Sequence, residues 1–316
     1  MPRLFFATDI HGSDLCWKKF LGAASYYEAD ILVLGGDLTG KAIVPILIAD
    51  TIGKYAARAV LLGSTYDLES EKAIIDFERL VSSRGYYPLR LSPDERDALA
   101  MDQALLDARF KRCVVETLER WLSLAEERLP AGIPCFVCPG NDDPIEIDAL
   151  FAASSRVTDG EGKVLDLGSG FSMASTGWSN PTPWHTYRET DETGLQKRID
   201  TLLSPSVDRS RTIFNFHCPP YSSGLDDAPE LGADLFVKNA GQSTVPVGSK
   251  AVKKTIECER PLLSLHGHIH EAKGVARIGK TLAVNPGSLY EQGVLQGALF
   301  DLDPRKGIRS YVLTTG

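Results

Sequence analysis

No apolar run in this sequence approaches the roughly 18 consecutive residues that a membrane span requires. The opening MPRLFFATDIHG carries one basic residue and only a few apolar ones before Asp9, too short a stretch for a secretory signal. The expectation is a cytoplasmic protein with no membrane partner. Cysteine is sparse and scattered: Cys16, Cys113, Cys135, Cys138, Cys218 and Cys258. That spacing gives no disulfide framework and fits a reducing compartment. Cys135 and Cys138 make one C-x-x-C inside the strand-like IPCFVCPG, where residues three apart face opposite sides, and no second pair completes a zinc site. They read as buried thiols. No C-x₅-R run is present, so a protein-tyrosine-phosphatase mechanism is disfavoured. There is no internal repeat, no low-complexity tract and no Lys/Arg-rich track interleaved with aromatics. With a net charge of −8 the chain gains nothing from its overall field near nucleic acid, which weighs against a nucleic-acid partner.

Histidine is scarcer still where it is not concentrated. The chain of 316 residues has six, and three of them, His266, His268 and His270, alternate within LLSLHGHIHE. Hydrophobic residues at 43% and charged residues at 24% are ordinary for a globular protein, and the length gives room for a sizeable core.

Apolar strand-like runs alternate with helical patterns, which places the chain in the α/β or α+β class with a layered sheet core. Arg3 to Thr8 reads as a strand, with Ser13 capping the helix after it. DILVLGGD, IPCFVCPGND, RTIFNFHCPP and LLSLHGHIH read as buried strands that end in turns. KAIVPILIAD and ARAVLLGS suggest a hairpin, as does KVLDLGSGFSMAST. The span 65–130 is charged and helical and reads as an insertion within a single domain covering 1–316. Residues 221–248 read as a long loop, a length that is usually functional or mobile.

Five segments share one pattern, an apolar strand followed by a tight turn with metal-competent side chains. They are ATDIHG (Asp9, His11), LGGDLTG (Asp37), CPGNDD (Asn141, Asp142), FNFHCPP (His217) and LHGHIHE (His268, His270). In layered α/β folds, sites form where strand ends converge, so five such turns can meet in one place. Taken singly, each is more simply a polar turn residue or a hydrogen-bonded histidine. The ordered set of five is what carries weight.

In this order the residues resemble the calcineurin-like metallophosphoesterase superfamily, in its prokaryotic phosphodiesterase-like branch. The blocks are Asp9-Ile10-His11, Gly36-Asp37, Gly140-Asn141-Asp142-Asp143, the lone His217, and Gly267-His268-Ile269-His270, with Asn285 to Ser288 and Thr176 to Trp184 as weaker likenesses. The resemblance implies a four-layer α/β/β/α sandwich of two mixed sheets with a helical insertion. It also implies two divalent metal ions, Mn²⁺ first, with Fe, Zn²⁺, Ni²⁺ or Co²⁺ as alternatives. One ion would take Asp9, His11 and His270, and the other Asn141, His217 and His268, with Asp37 bridging. The implied activity is hydrolysis of a small phosphodiester or phosphomonoester by a metal-bridging hydroxide, with Asp37, Asn141, Asp142 and His217 as the catalytic set. His266 reads as a strand residue outside the ligand set.

One position departs from the pattern, since Asp142 stands where the family carries histidine. Three readings stay open for it: a structural cap turned from the site, a protonated or differently placed substrate contact, or a weakened enzyme restricted to good leaving groups. His185 is a candidate for the missing acid, or simply a surface histidine. Asp143 reads as a helix cap. Asp226 and Asp227 are candidates for the site's mouth or for a solvated loop, and Lys250, Lys253 and Lys254 for a helix face rather than a phosphate clamp. The competing functions are a nuclease of the same superfamily and a silent scaffold that uses the insertion as its interaction surface.

Overall fold

A computed structural model describes residues 1–49, 56–203, 208–232 and 234–316. Arg3–Ala7 (RLFFA) and Ile31–Leu34 (ILVL) are apolar almost throughout because both of their faces are covered, the usual condition of parallel strands. They sit at the centre of a six-stranded sheet ordered Gly307–Thr315, Gln296–Asp303, Arg3–Ala7, Ile31–Leu34, Cys135–Val137, Val157–Asp159. Its last four strands run parallel, and the two C-terminal strands add antiparallel at one edge. A second six-stranded sheet is ordered Gly274–Ile278, Thr281–Asn285, Leu263–Leu265, Thr212–Phe216, Phe171–Thr176, Lys163–Gly168. Its four inner strands are parallel and its two edges antiparallel.

The sheets face each other across one apolar layer. Leu4, Phe6, Ile31 and Val33 from the first meet Met173, Ile213, Leu263 and Val284 from the second, all buried. The outer face of the first sheet packs on the helices Asp14–Tyr26 and Gln103–Arg128 through Trp17, Phe20, Leu118 and Trp121. The Trp17 and Trp121 rings stack there at 5.1 Å between centroids. The outer face of the second sheet packs on Glu192–Leu202 and Lys250–Glu259 through Leu195, Ile199, Val252 and Ile256. The result is the expected four-layer α/β/β/α sandwich of two mixed sheets.

A separate four-stranded sheet, ordered Ser64–Leu68, Ala56–Leu61, Ile43–Ala49, Tyr87–Leu91, carries its own small core against the helix Glu71–Ser83. Ile43–Ala49 and Ala56–Leu61 run antiparallel, and the turn expected between them lies outside the described residues. The span 65–130 therefore holds strands as well as helices. The long stretch 221–248 is also more ordered than its composition suggests, because Asp227–Pro229 and Thr244–Pro246 pair as a short hairpin. Among the described residues no helix is long and apolar enough to cross a membrane.

Candidate metal centre

The two sheets position the site by having their parallel strands end on the same side. Arg3–Ala7, Ile31–Leu34 and Cys135–Val137 of the first sheet release Asp9 and His11, Asp37, and Asn141 and Asp142 into their following turns. Thr212–Phe216 and Leu263–Leu265 of the second sheet release His217, and His268 with His270. Backbone bonds knit these turns together: His11 N donates to Asp37 O at 2.9 Å, and Gly267 N to His217 O at 3.0 Å. Gly36 and Gly267 allow this closeness, since a Cβ on the first would run into the His217 ring and one on the second into the Asp9 carboxylate.

All seven candidate ligands meet in this space. Asp9, His11 and His270 form one cluster, Asp37, His217 and His268 form a second, and His11, Asp37 and Asp142 form a third that overlaps both, each with its ligand atoms within 4.8 Å of one another. Asp9 Oδ1 lies 3.4 Å from His270 Nε2 and 3.9 Å from His217 Nε2. Asp37 stands between the clusters, 3.4 Å from His217 Nε2 through Oδ1 and 3.6 Å from His11 Nε2 through Oδ2. Asn141 turns Oδ1 to His217 Nε2 at 3.1 Å because its amide nitrogen donates to Thr186 Oγ1 at 2.8 Å. Asp9 is held in place by Thr8 Oγ1 at 2.7 Å and by the His268 backbone N–H at 3.0 Å.

The electrostatics are those of a site that wants positive charge. Two carboxylates are nearly fully buried: Asp9 is 1% exposed and Asp37 2%. Burial opposes their ionisation, but His217 dominates the opposing influences, and both stay below the usual carboxylate range. Burial likewise opposes charge on His217, and Asp37 and Asp9 overcome it, lifting the imidazole to about 10. Burial pushes His268 down to about 4 and His11 well below its ordinary value, which keeps both as neutral imidazoles fit to be ligands. His11 and His270 face each other Nε2 to Nε2 at 3.0 Å, and among the described residues His11 Nδ1 is buried without a hydrogen-bond partner, with Asp142 Oδ2 3.9 Å away. Crowded, buried acceptors around two carboxylates fit divalent cations with mixed N/O ligands.

Asp142 does not turn away. Its side chain is 21% exposed on the cavity, 3.4 Å from Lys41 Nζ, while its backbone N–H donates to Asp37 Oδ1 at 3.0 Å. Burial, then the Asp37 charge, raises its carboxyl to about 7. Lys41 is the residue that sequence reasoning missed. It follows the LGGDLTG turn with no motif around it, and only the fold brings it to Asp142.

One other expectation needs correction, and the readings left open for three more residues resolve. Asp143 is not a helix cap. It is fully buried, and its carboxylate accepts from the backbone of Leu38, Thr39 and Gly140 and from Thr39 Oγ1, which ties the Asp37 turn to the Asn141 turn. Asp226 clamps its own loop by accepting from Ser222, Ser223 and Gly248 N–H groups, and Asp227 begins the exposed hairpin strand. His185 is absent from the cavity's lining although its neighbours Trp184 and Thr186 are in it. His266 lies in the fold as expected, cross-linking the second sheet with Nδ1 to Phe216 O at 2.8 Å and Nε2 to Ser264 Oγ at 2.8 Å.

These features define a layered α/β protein with a cluster of metal-competent side chains at its strand ends. Fold and ligand order are consistent with the calcineurin-like metallophosphoesterase superfamily that the sequence resembles. No protein-family model matches the chain. The uncharacterized protein MJ1162 of Methanocaldococcus jannaschii is 30% identical over 152 residues, 47% of this chain and 61% of that protein. A solved crystal structure aligns over 99% of both chains at 18% identity with a TM-score of 0.59, a likeness of fold. The E. coli phosphoesterase YfcE aligns over 98% of both chains at 13% identity, with a TM-score of 0.35, too loose to bear on chemistry.

Proposed function

We propose that the protein is a dinuclear metal-dependent phosphoesterase, with phosphodiesters favoured as substrates. The single observation that carries this reading is the convergence of side chains from five strand ends: Asp9, His11 and His270 form one group, Asp37, His217 and His268 a second that Asn141 joins through His217, and Asp37 reaches His11 of the first at 3.6 Å. Asp9, His11 and His270 would hold one cation, Asn141, His217 and His268 the other, with Asp37 common to both. Divalent cations bound there supply positive charge to the phosphoryl oxygens and acidify water.

The chain's own residues do the rest. Lys41, partly exposed on the same cavity, offers a further cation to an anionic ester, and Asp142 holds it in position. Thr186 fixes the Asn141 amide so that its oxygen faces inward. The burial of Asp9, His11, Asp37 and His217 keeps bulk water from screening the site. In the overall reaction the oxygen of water adds to phosphorus, one ester P–O bond breaks, and the alcohol leaves with a proton.

We read 1–316 as one domain with 65–130 as an insertion within it; the separate apolar core of the four-stranded sheet supports an added unit, which takes in Ile43–Ala49 and Ala56–Leu61 ahead of that span, while Gln103–Arg128 packs on the main core. The six cysteines, all free thiols and five of them buried, support a reducing compartment such as the cytoplasm.

The test is turnover of bis-p-nitrophenyl phosphate and p-nitrophenyl phosphate with Mn²⁺, Ni²⁺ or Zn²⁺ added separately. The expected result is metal-dependent hydrolysis that Asp37→Ala lowers by more than about 100-fold, since even outer-shell partners of a metal are worth that much. Metal-independent turnover, or an Asp37→Ala variant of near-normal rate, would show that these residues are the wrong ones.

A further inference from the structure

The candidate metal centre opens into a cavity of about 830 Å³, large for a phosphate group alone. One end is polar, with Asp37, Lys41, Asn141, Asp142, His268 and His270. The other is walled by Pro181, Pro183, Trp184, Leu231, Leu235 and Val245, from the loop after Thr176 and from the hairpin loop. At the mouth large apolar groups stand in solvent: Trp184 is 64% exposed and Leu235 48%. Leu235 is also held at φ +62°, a conformation that a bulky side chain rarely takes. An exposed apolar surface continuous with a charged site indicates a ligand that covers it.

Several polar side chains at this end are already engaged, while the Trp184 indole and the Tyr187 hydroxyl also border the cavity. Thr182 Oγ1 and Thr186 Oγ1 both donate to Glu189 Oε1, at 2.6 Å each. Asn180 Nδ2 donates to Val247 O at 3.1 Å, and its Oδ1 accepts from the Cys218 thiol at 2.9 Å. The wall is thus mainly apolar, and recognition there rests chiefly on apolar contact.

We propose that the substrate is a phosphate ester bearing a long aliphatic group, a lipid-like ester whose phosphate sits at the metal centre and whose chain lies along the Pro181–Leu231 wall. This rests on the phosphoesterase reading and names the substrate class of that site.

The experiment uses the metal-loaded protein and a series of alkyl p-nitrophenyl phosphodiesters, methyl, butyl and octyl, each below its micellar concentration, with thymidine 5′-p-nitrophenyl phosphate as the hydrogen-bonding comparator. The expected kcat/KM rises at least about tenfold from methyl to octyl, in keeping with burial of several methylenes. In Trp184→Ser and Leu231→Gln the octyl-to-methyl ratio falls at least about threefold, roughly one buried methylene. Calorimetry gives a second readout, in which n-octyl phosphate binds the loaded protein at least about tenfold more tightly than methyl phosphate. A flat or falling series in an enzyme that turns over the methyl ester overturns the aliphatic assignment and leaves the phosphoesterase reading standing. A preference for the thymidine ester overturns it in favour of a nucleoside. Absence of turnover for every ester with every metal removes the phosphoesterase reading and this inference with it.

Discussion

Four of the seven candidate ligands hold the backbone at positive φ: Asp9 at 53°, His11 at 38°, Asp37 at 50° and His268 at 70°. Each costs on the order of 1–3 kcal/mol for a residue other than glycine, and such strain clusters where geometry serves function. The sequence announces these residues by type and order but not by strain, because nothing in D-x-H or G-D encodes a left-handed turn. Lys41 was illegible for a different reason. A single lysine after a glycine turn is ordinary until the Asn141 turn is brought beside it by two neighbouring parallel strands. Its proposed role gives a prediction at this scale: Lys41→Met raises KM for a phosphate ester about tenfold, the worth of one charge-assisted contact, and weakens the dependence of KM on salt. An unchanged KM would mean that Lys41 serves Asp142 alone.

At the scale of the element, the strands legible as unbroken apolar runs are those covered on both faces, and the helices legible by period are those with one buried stripe, such as Glu71–Ser83 with Ile74, Phe77 and Val81 inward. The short hairpin within 221–248 was not legible, because three-residue strands such as Asp227–Pro229 carry no period to read. Asp143 shows a similar limit. An aspartate before proline at a helix start signals a cap, yet here burial and the surrounding N–H groups of another turn capture its carboxylate. Asp143→Ala leaves those donors buried without an acceptor, so it should cost at least about 2 kcal/mol in urea unfolding. The same variant should bind metal more weakly, since it frees the Asp37 turn from the Asn141 turn. A variant as stable as the parent would show that water replaces the carboxylate without loss.

For the whole molecule, the alternation of strands and helices gave the layered class, while the four-stranded sheet outside the sandwich was not foreseen as a sheet of its own. Burial also writes a pH dependence into the fold. Glu161 accepts from the Gly177 N–H at 2.6 Å beside Cys138, and burial raises its carboxyl above 4.5. A carboxyl raised on folding favours the native state below its unfolded pKa, and this contribution is lost as pH rises through the folded value. Glu161→Gln removes the proton linkage and keeps an acceptor. Its Tm relative to the parent should therefore climb as the pH rises above the reference carboxyl range, about pH 4. A difference that stays constant as the pH rises would mean that Glu161 ionises as freely in the fold as out of it.

The central claim, that two adjoining clusters at the strand ends hold two divalent ions around Asp37, is tested most directly by elemental analysis of the purified protein after reconstitution and desalting. The account predicts two equivalents of divalent metal per chain, falling to one or fewer in both His217→Ala and His270→Ala. Stoichiometric binding that neither substitution disturbs, or no retained metal in a correctly folded parent, would contradict it.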